Sequence, residues 1–300
     1  MKSWAWRRLV AGALALLALA PLALAQGVTK PTLEKIREYG AIYVGHAEAS
    51  VPFSYVMGGE VIGYSIDLCG HIVDAIRTEL NDPTLKAVMV PITSSSRLLM
   101  LVTGVIDLEC GSTTNTKIRQ QQVAFSVTPF VSGVKALVRK DAGIGRLADL
   151  NGKVVVTTGG TTTDRLVRTV LAARGLSAHA KSGRSHPESF SMVLSRQADA
   201  FVLDDAILAG LLANSPDRDQ LRLLDENFGL EPYGIGMRKD DPEFKKLVDG
   251  ALTTMMKSGE VEKLYTKWFM SPIPPQNVNL QIPMSDMLRY LLRNPDDAGI

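Results

Sequence analysis

The chain has 300 residues, of which 46% are hydrophobic and 21% charged, enough length and apolar content for one or two buried cores and unlike a disordered or collagen-like polypeptide. Its formal charge is +2, but Lys2, Arg7 and Arg8 belong to an N-terminal leader, and without them 30 basic residues face 31 acidic ones. So even a balance argues against nucleic acid as a partner.

The leader reads MKSWAWRR, then an apolar run over 9–20, then Pro21 and Ala23-Leu24-Ala25, the charged, apolar, small-x-small layout of a secretory signal peptide. Residues 1–25 are therefore expected to be removed, with cleavage after Ala25 and an exported mature chain starting at Gln26. An uncleaved membrane anchor fits less well, because the run is short and broken at Pro21. Two cysteines cannot make a disulfide framework, so the fold must rest on cores of ordinary size. Cys69 lies on the inward stripe Cys69, Val73, Ile76, Leu80; a bridge to Cys110 and a pair of buried thiols are both compatible with the sequence.

Along the mature chain, AIYVGH (41–46) predicts a strand, 64–80 an amphipathic helix, KAVMVPI (86–92) a strand, SSRLLMLVTG a helix and VIDLECG (105–111) a third strand. The alternation points to an α/β fold with a mainly parallel sheet covered by helices. FVSGVKALVRK (130–140) is a long extended segment, after which the alternation restarts: a strand in LADLNGKVVVTTGG, a helix over 164–174, another helix, a strand at 200–203 and a further helix. A second extended segment around 231–237 leads to Asp241 as N-cap and Pro242 at the first helical position, with Phe244, Leu247, Val248, Ala251, Leu252, Met255 and Met256 on one face.

Candidate chemistry sits just after strands, where parallel sheets place their ligands. ITSSSR puts Ser94 beside Arg97, whose guanidinium could fork onto a carboxylate. ECGSTTN offers the hydroxyls of Ser112, Thr113 and Thr114, with a plain helix cap as the alternative. GGTTTD runs from strand into helix and suits a small anion, or is simply a capped turn. LDDA carries Asp204 and Asp205, of which one pairs with a ligand amine while the other caps the helix, unless both are caps or surface charges. His46, His71, His179 and His186 lack zinc spacing, so no metal or cofactor is expected, and neither G-x-S-x-G nor GxxxxGK[ST] occurs. One guanidinium, several hydroxyls, a nest of amides and one carboxylate complement a zwitterionic α-amino acid.

The order of GHAEASVPFSY, VIGYSIDLC, PITSSSRLLML, DLECGSTTN, AFVLDDAILAG, YGIGMRKDDPEFKKL and WFMSPIPPQN closely resembles the periplasmic glutamate/aspartate-binding proteins of ATP-driven amino-acid importers, solute-binding protein family 3, over nearly the whole mature chain. The resemblance implies a two-lobed periplasmic binding protein fold of type II, with lobe 1 over 26–131 and 234–300, lobe 2 over 132–233, and two crossover strands as the hinge of a flytrap. It implies Arg97 on the ligand α-carboxylate with the amides and hydroxyls of Thr161 and Thr162 opposite, Ser112, Thr114 and Asp204 on the ammonium, and Ser94 and His186 towards the ligand side chain. Its dicarboxylate-binding members carry arginine where this chain has Ala47, so a neutral polar or larger amino acid becomes a candidate. Arg184 is the nearby cation able in principle to replace it. The implied location is the periplasm and the implied partners are a free amino acid and an inner-membrane permease, with the receptor a monomer that catalyses nothing. The rivals are an enzyme on the same fold, such as a periplasmic dehydratase recruiting Asp205 or Glu48, and a sensory ligand-binding lobe.

Overall fold

The computed structural model describes residues 30–300, so the signal peptide expected over 1–25 and its cleavage point lie outside the described residues. Two sheets organise the chain. The first is five-stranded, in the order Lys86–Pro91, Ala41–His46, Leu108–Glu109, Gly236–Arg238, Val123–Phe125; its first three strands are parallel, and Gly236–Arg238 enters antiparallel between its neighbours. The second is six-stranded, in the order His179–Gly183, Val154–Thr158, Ala200–Asp204, Phe130–Arg139, Leu221–Leu223, with Gly229–Tyr233 also paired to Phe130–Arg139.

The two extended segments predicted over 130–140 and 231–237 connect these sheets. Phe130–Arg139 enters the second sheet and Gly229–Tyr233 leaves it, and they run antiparallel with Phe130 opposite Tyr233 and Val134 opposite Gly229. An aromatic cluster fixes the crossing: the Phe130 ring lies 4.7 Å from Phe53 and 4.9 Å from Phe269, and the Tyr64 hydroxyl donates to the Pro129 carbonyl at 2.8 Å. Such ring pairs add about 0.5–1.5 kcal/mol each beyond their buried area.

The helix Tyr64–Leu80 forms over the predicted span, burying Leu68, Cys69, Ile72, Val73 and Ile76 at helical spacing. It starts against the 53–54 backbone, where Gly63 has φ 139° and a Cβ would stand 2.2 Å from the Phe53 carbonyl oxygen, so only glycine fits. Asn81 in the left-handed region ends it. Pro242–Ser258 likewise follows its predicted cap: the Asp241 side chain accepts from the Phe244 amide at 3.2 Å.

Two expectations change, and one alternative that the sequence left open is decided. Only Leu108–Glu109 of the strand predicted over 105–111 joins the ladder, because 110–118 turns away as a loop towards the second sheet. Helix Arg97–Val102 begins at the arginine itself, after a turn formed by Thr93 and Ser96. Cys69 and Cys110 form a disulfide, tying Tyr64–Leu80 to that loop.

The segment 294–300 also braces the loop. The Asn115 side chain donates to the Asp297 carbonyl at 2.9 Å, and Ile300 exchanges backbone bonds with Asn115 and Lys117.

Candidate functional site

The ends of strands from both sheets meet across a narrow seam. From the first sheet come the 93–96 turn with Arg97 and the 110–118 loop. From the second come the 159–162 turn, the start of His186–Leu194 and Asp204. Contact between the halves is close: a Cβ on Gly160 (φ 80°) would stand 2.6 Å from the Ser94 carbonyl oxygen.

Arg97 is buried, its Nη1 directed at the Ser112 carbonyl at 3.4 Å and its Nε without a protein partner. Glu109, also buried, has no hydrogen bond to either carboxylate oxygen in good geometry. Burial raises its pKa, while the charge of Arg97 pulls the other way. Sequence reasoning passed over Glu109, since one acid inside a strand carries no marker of function.

The opposite side holds Asp204, which stands at the N-cap position of Asp205–Ala213 but makes no capping bond. Its Oδ1 is buried and has no hydrogen-bond partner in good geometry, and burial, then the neighbouring Glu231 carboxylate, pushes its pKa well above the usual aspartate range. The reading of both acids of LDDA as caps therefore fails for Asp204. Asp205 points elsewhere, its Oδ1 accepting from the Ser132 hydroxyl at 2.9 Å and the Gly133 amide at 3.1 Å.

Thr114 is buried and central. Its hydroxyl donates to Glu231 Oε2 in a short bond and lies 3.3 Å from the hydroxyl of Thr162, which in turn bonds Glu231 Oε1 at 2.5 Å. Thr162 thus sits with Thr114. The Thr161 hydroxyl instead closes its own turn, donating to the Thr158 carbonyl at 2.6 Å with the Thr163 hydroxyl 2.6 Å away. Ser112 is buried beside Arg97, and Ser94 is half-buried against Gly160.

His186, a loop residue on local sequence, is the first residue of a helix and is buried, its Nδ1 3.0 Å from the Thr158 hydroxyl. Burial, helped by the Arg97 charge, pulls its pKa down to about 3, so the imidazole is neutral at any physiological pH. Ala47 follows strand Ala41–His46 and is held by Ser54, whose hydroxyl accepts from its amide at 2.9 Å. Arg184 does not compensate for the missing arginine: its side chain is 91% exposed and paired with Glu188 at 3.1 Å.

Besides Glu109, two groups here have no counterpart in the sequence reading. Arg119 donates Nη1 to the Thr114 carbonyl at 2.8 Å and Nη2 to the Gly160 carbonyl at 3.2 Å. Glu231 lies within the returning crossover strand, 1% exposed. Among the described residues, no group of three or more His, Cys, Asp or Glu is arranged to hold a metal ion, and no helix is long and apolar enough to cross a membrane.

Residues 42–271 match the model of the bacterial extracellular solute-binding proteins, family 3. The chain belongs to that family. It is 45% identical over 270 residues to the L-glutamate/L-aspartate-binding protein of Pseudomonas aeruginosa, covering 89% of each chain. It is 42% identical to the glutamate/aspartate import solute-binding protein of Escherichia coli, over 90% of this chain and 89% of that one. Among solved structures, an ancestral amino acid-binding protein described as a precursor of cyclohexadienyl dehydratase superposes with TM-score 0.68 at 31% identity, covering 79% of this chain and 99% of that one. The architecture is the two-lobed fold of periplasmic amino-acid-binding proteins, and the chain is a solute-binding receptor of the kind that serves ATP-driven import.

Proposed function

We propose that this receptor captures one free amino acid in the seam between its sheets and hands it to an inner-membrane permease, acting as a monomer and catalysing nothing. The observation that carries this is a pair of buried polar atoms without protein partners in good geometry, Arg97 Nε and Asp204 Oδ1, contributed by the two halves; an ammonium arriving at Asp204 would favour its carboxylate form. Buried charged groups are ordinarily satisfied, and an α-carboxylate and an ammonium are the groups that would satisfy these two. Ser112, Thr114 and Thr162 lie beside them, with Ser94 and His186 reserved for the ligand side chain.

The lobes are taken as 26–131 with 234–300, and 132–233, closing about the two crossover strands. The related dehydratase precursor makes an enzyme the natural rival, but both recruits are poorly set for it: Asp205 is bonded to the crossover strand and Glu48 is exposed. Cleavage after Ala25 would release the receptor into the periplasm.

For the ligand side chain, Ala47 favours a neutral polar or larger group over a second carboxylate, since the neutral His186 and Ser94 offer no cation to a desolvated charge. The names of the relatives support glutamate or aspartate instead. A thermal-shift screen over all amino acids, repeated on Ala47→Arg, separates the two. On the Ala47 reading, the unmutated protein responds most to a neutral amino acid and the variant moves glutamate up by about 1.5–3 kcal/mol, the worth of one charge-assisted contact. Submicromolar glutamate binding by the unmutated protein defeats that reading, and no response to any amino acid defeats the receptor itself.

A further inference from the structure

Two buried ions at the seam differ from Arg97 and Asp204 in one respect: their hydrogen bonds are already made, and the protein makes them across the two halves. Arg119 reaches from the first-sheet half to the Gly160 carbonyl of the second while holding the Thr114 carbonyl of its own. Glu231 has one carboxylate oxygen taken by the Thr114 hydroxyl and the other by the Thr162 hydroxyl, one threonine from each half. Thr114 is the common anchor, bound through its carbonyl by the arginine and through its hydroxyl by the glutamate.

We propose that Arg119 and Glu231 form a latch between the lobes that sets how readily they close, and through this how tightly ligand is held, without either side chain touching the ligand. Both side chains are engaged by the protein: Glu231 pins Thr114, which is also backbone-bridged to the crossover strand, and Arg119, holding the Thr114 carbonyl, makes the bond to Gly160 that opening the seam breaks. Those bonds are charge-assisted and nearly dry, Arg119 being 8% and Glu231 1% exposed, so water replaces them poorly. Burial, then the repulsion of Arg97, draws the Arg119 pKa down to about 10, which still leaves it charged at neutral pH. The latch rests on the receptor reading only for its effect on affinity; its effect on closing is independent of any ligand.

Closing is read without ligand by a cysteine pair, Ser95→Cys with Gly159→Cys, because a Cβ at 159 lies 3.8 Å from Ser95 Oγ when the halves meet. In this background, Glu231→Gln and Arg119→Lys should each slow oxidative cross-linking at least about tenfold, the loss of one charge-assisted hydrogen bond. Thr114→Val, which removes the Glu231 bond to the other lobe and leaves both charges in place, serves if either charge substitution prevents folding. In the protein without the added cysteines, affinity for the amino acid that the unmutated receptor binds should fall by a similar factor. Unchanged cross-linking overturns the latch, and so does a loss of affinity with cross-linking unaltered, which would make these residues ligand contacts. If the unmutated protein binds no amino acid, the receptor reading fails, and the cross-linking rates still decide on the latch.

Discussion

Gly160→Ala adds one methyl group at the point where the two halves touch. The new Cβ would lie 2.6 Å from the Ser94 carbonyl oxygen and 2.7 Å from both the Ser94 carbonyl carbon and Ser95 Cα, all backbone atoms that cannot swing aside. Ordinary contact begins near 3.4 Å, so the seam must part by about 0.8 Å. Two costs follow. With φ at 80°, alanine is strained by roughly 1–2 kcal/mol whether the lobes are open or closed, which lowers stability alone. Overpacking, roughly 1–3 kcal/mol, is felt only on closing and therefore weakens binding roughly 5- to 150-fold. Calorimetric titration of the preferred amino acid, beside thermal unfolding of the ligand-free protein, measures the two separately. A Kd within twofold of the unmutated value, with only the melting temperature lowered, would show that binding does not need this seam to close.

Arg97→Ala should weaken Kd at least about a hundredfold, since a forked pair of charge-assisted bonds is lost, and calorimetry showing less than a tenfold change would remove Arg97 from the site. Asp204→Asn should weaken every amino acid alike while Asp205→Asn does not; equal small effects would remove Asp204 from the ligand site. Because Asp204 in the ligand-free protein keeps its proton after the unfolded chain has lost its own, its contribution to stability declines as pH rises from the ordinary aspartate range through the raised value. Affinity for an ammonium should conversely fall as pH drops through that value, and Asp204→Asn should flatten both profiles in unfolding and binding titrations. Replacing Cys69 and Cys110 together by serine frees a loop with a sequence separation of 41, which should lower the unfolding free energy by roughly 4 kcal/mol in denaturant titration; a change below about 1 kcal/mol would mean that the loop is held by its other contacts.

Local pattern carried the elements with strong local signals. The apolar stripe of the helix from Tyr64 and the Asp241-Pro242 start are decided by neighbours in sequence, and those helices form where the spacing puts them. Arg97 and Asp204 were visible because strand ends in an α/β sheet are a short list of places. Arg119 and Glu231 were not, since each takes meaning from a partner far along the chain, Gly160 for Arg119 and Thr114, 117 positions before it, for Glu231; Glu109, an acid inside a strand, carries no local marker. His186 shows the same limit: the helix start is local, but its burial beside Thr158 depends on a strand 28 residues earlier. The disulfide was left open by the sequence because a stripe tells which way a cysteine points and says nothing of what it meets.

The strand order of the first sheet also bears on how the chain folds as it is made. Leu108–Glu109 pairs with Ala41–His46 on one side and with Gly236–Arg238 on the other, so this sheet waits for residues more than a hundred positions downstream. Strands of the second sheet all fall within one continuous stretch from Phe130 to Tyr233. During vectorial synthesis, the half encoded in the middle can therefore condense while the half encoded first is still missing an inner strand, and it is the slower, long-range closure of that first sheet that brings Thr114 and Arg119 into register.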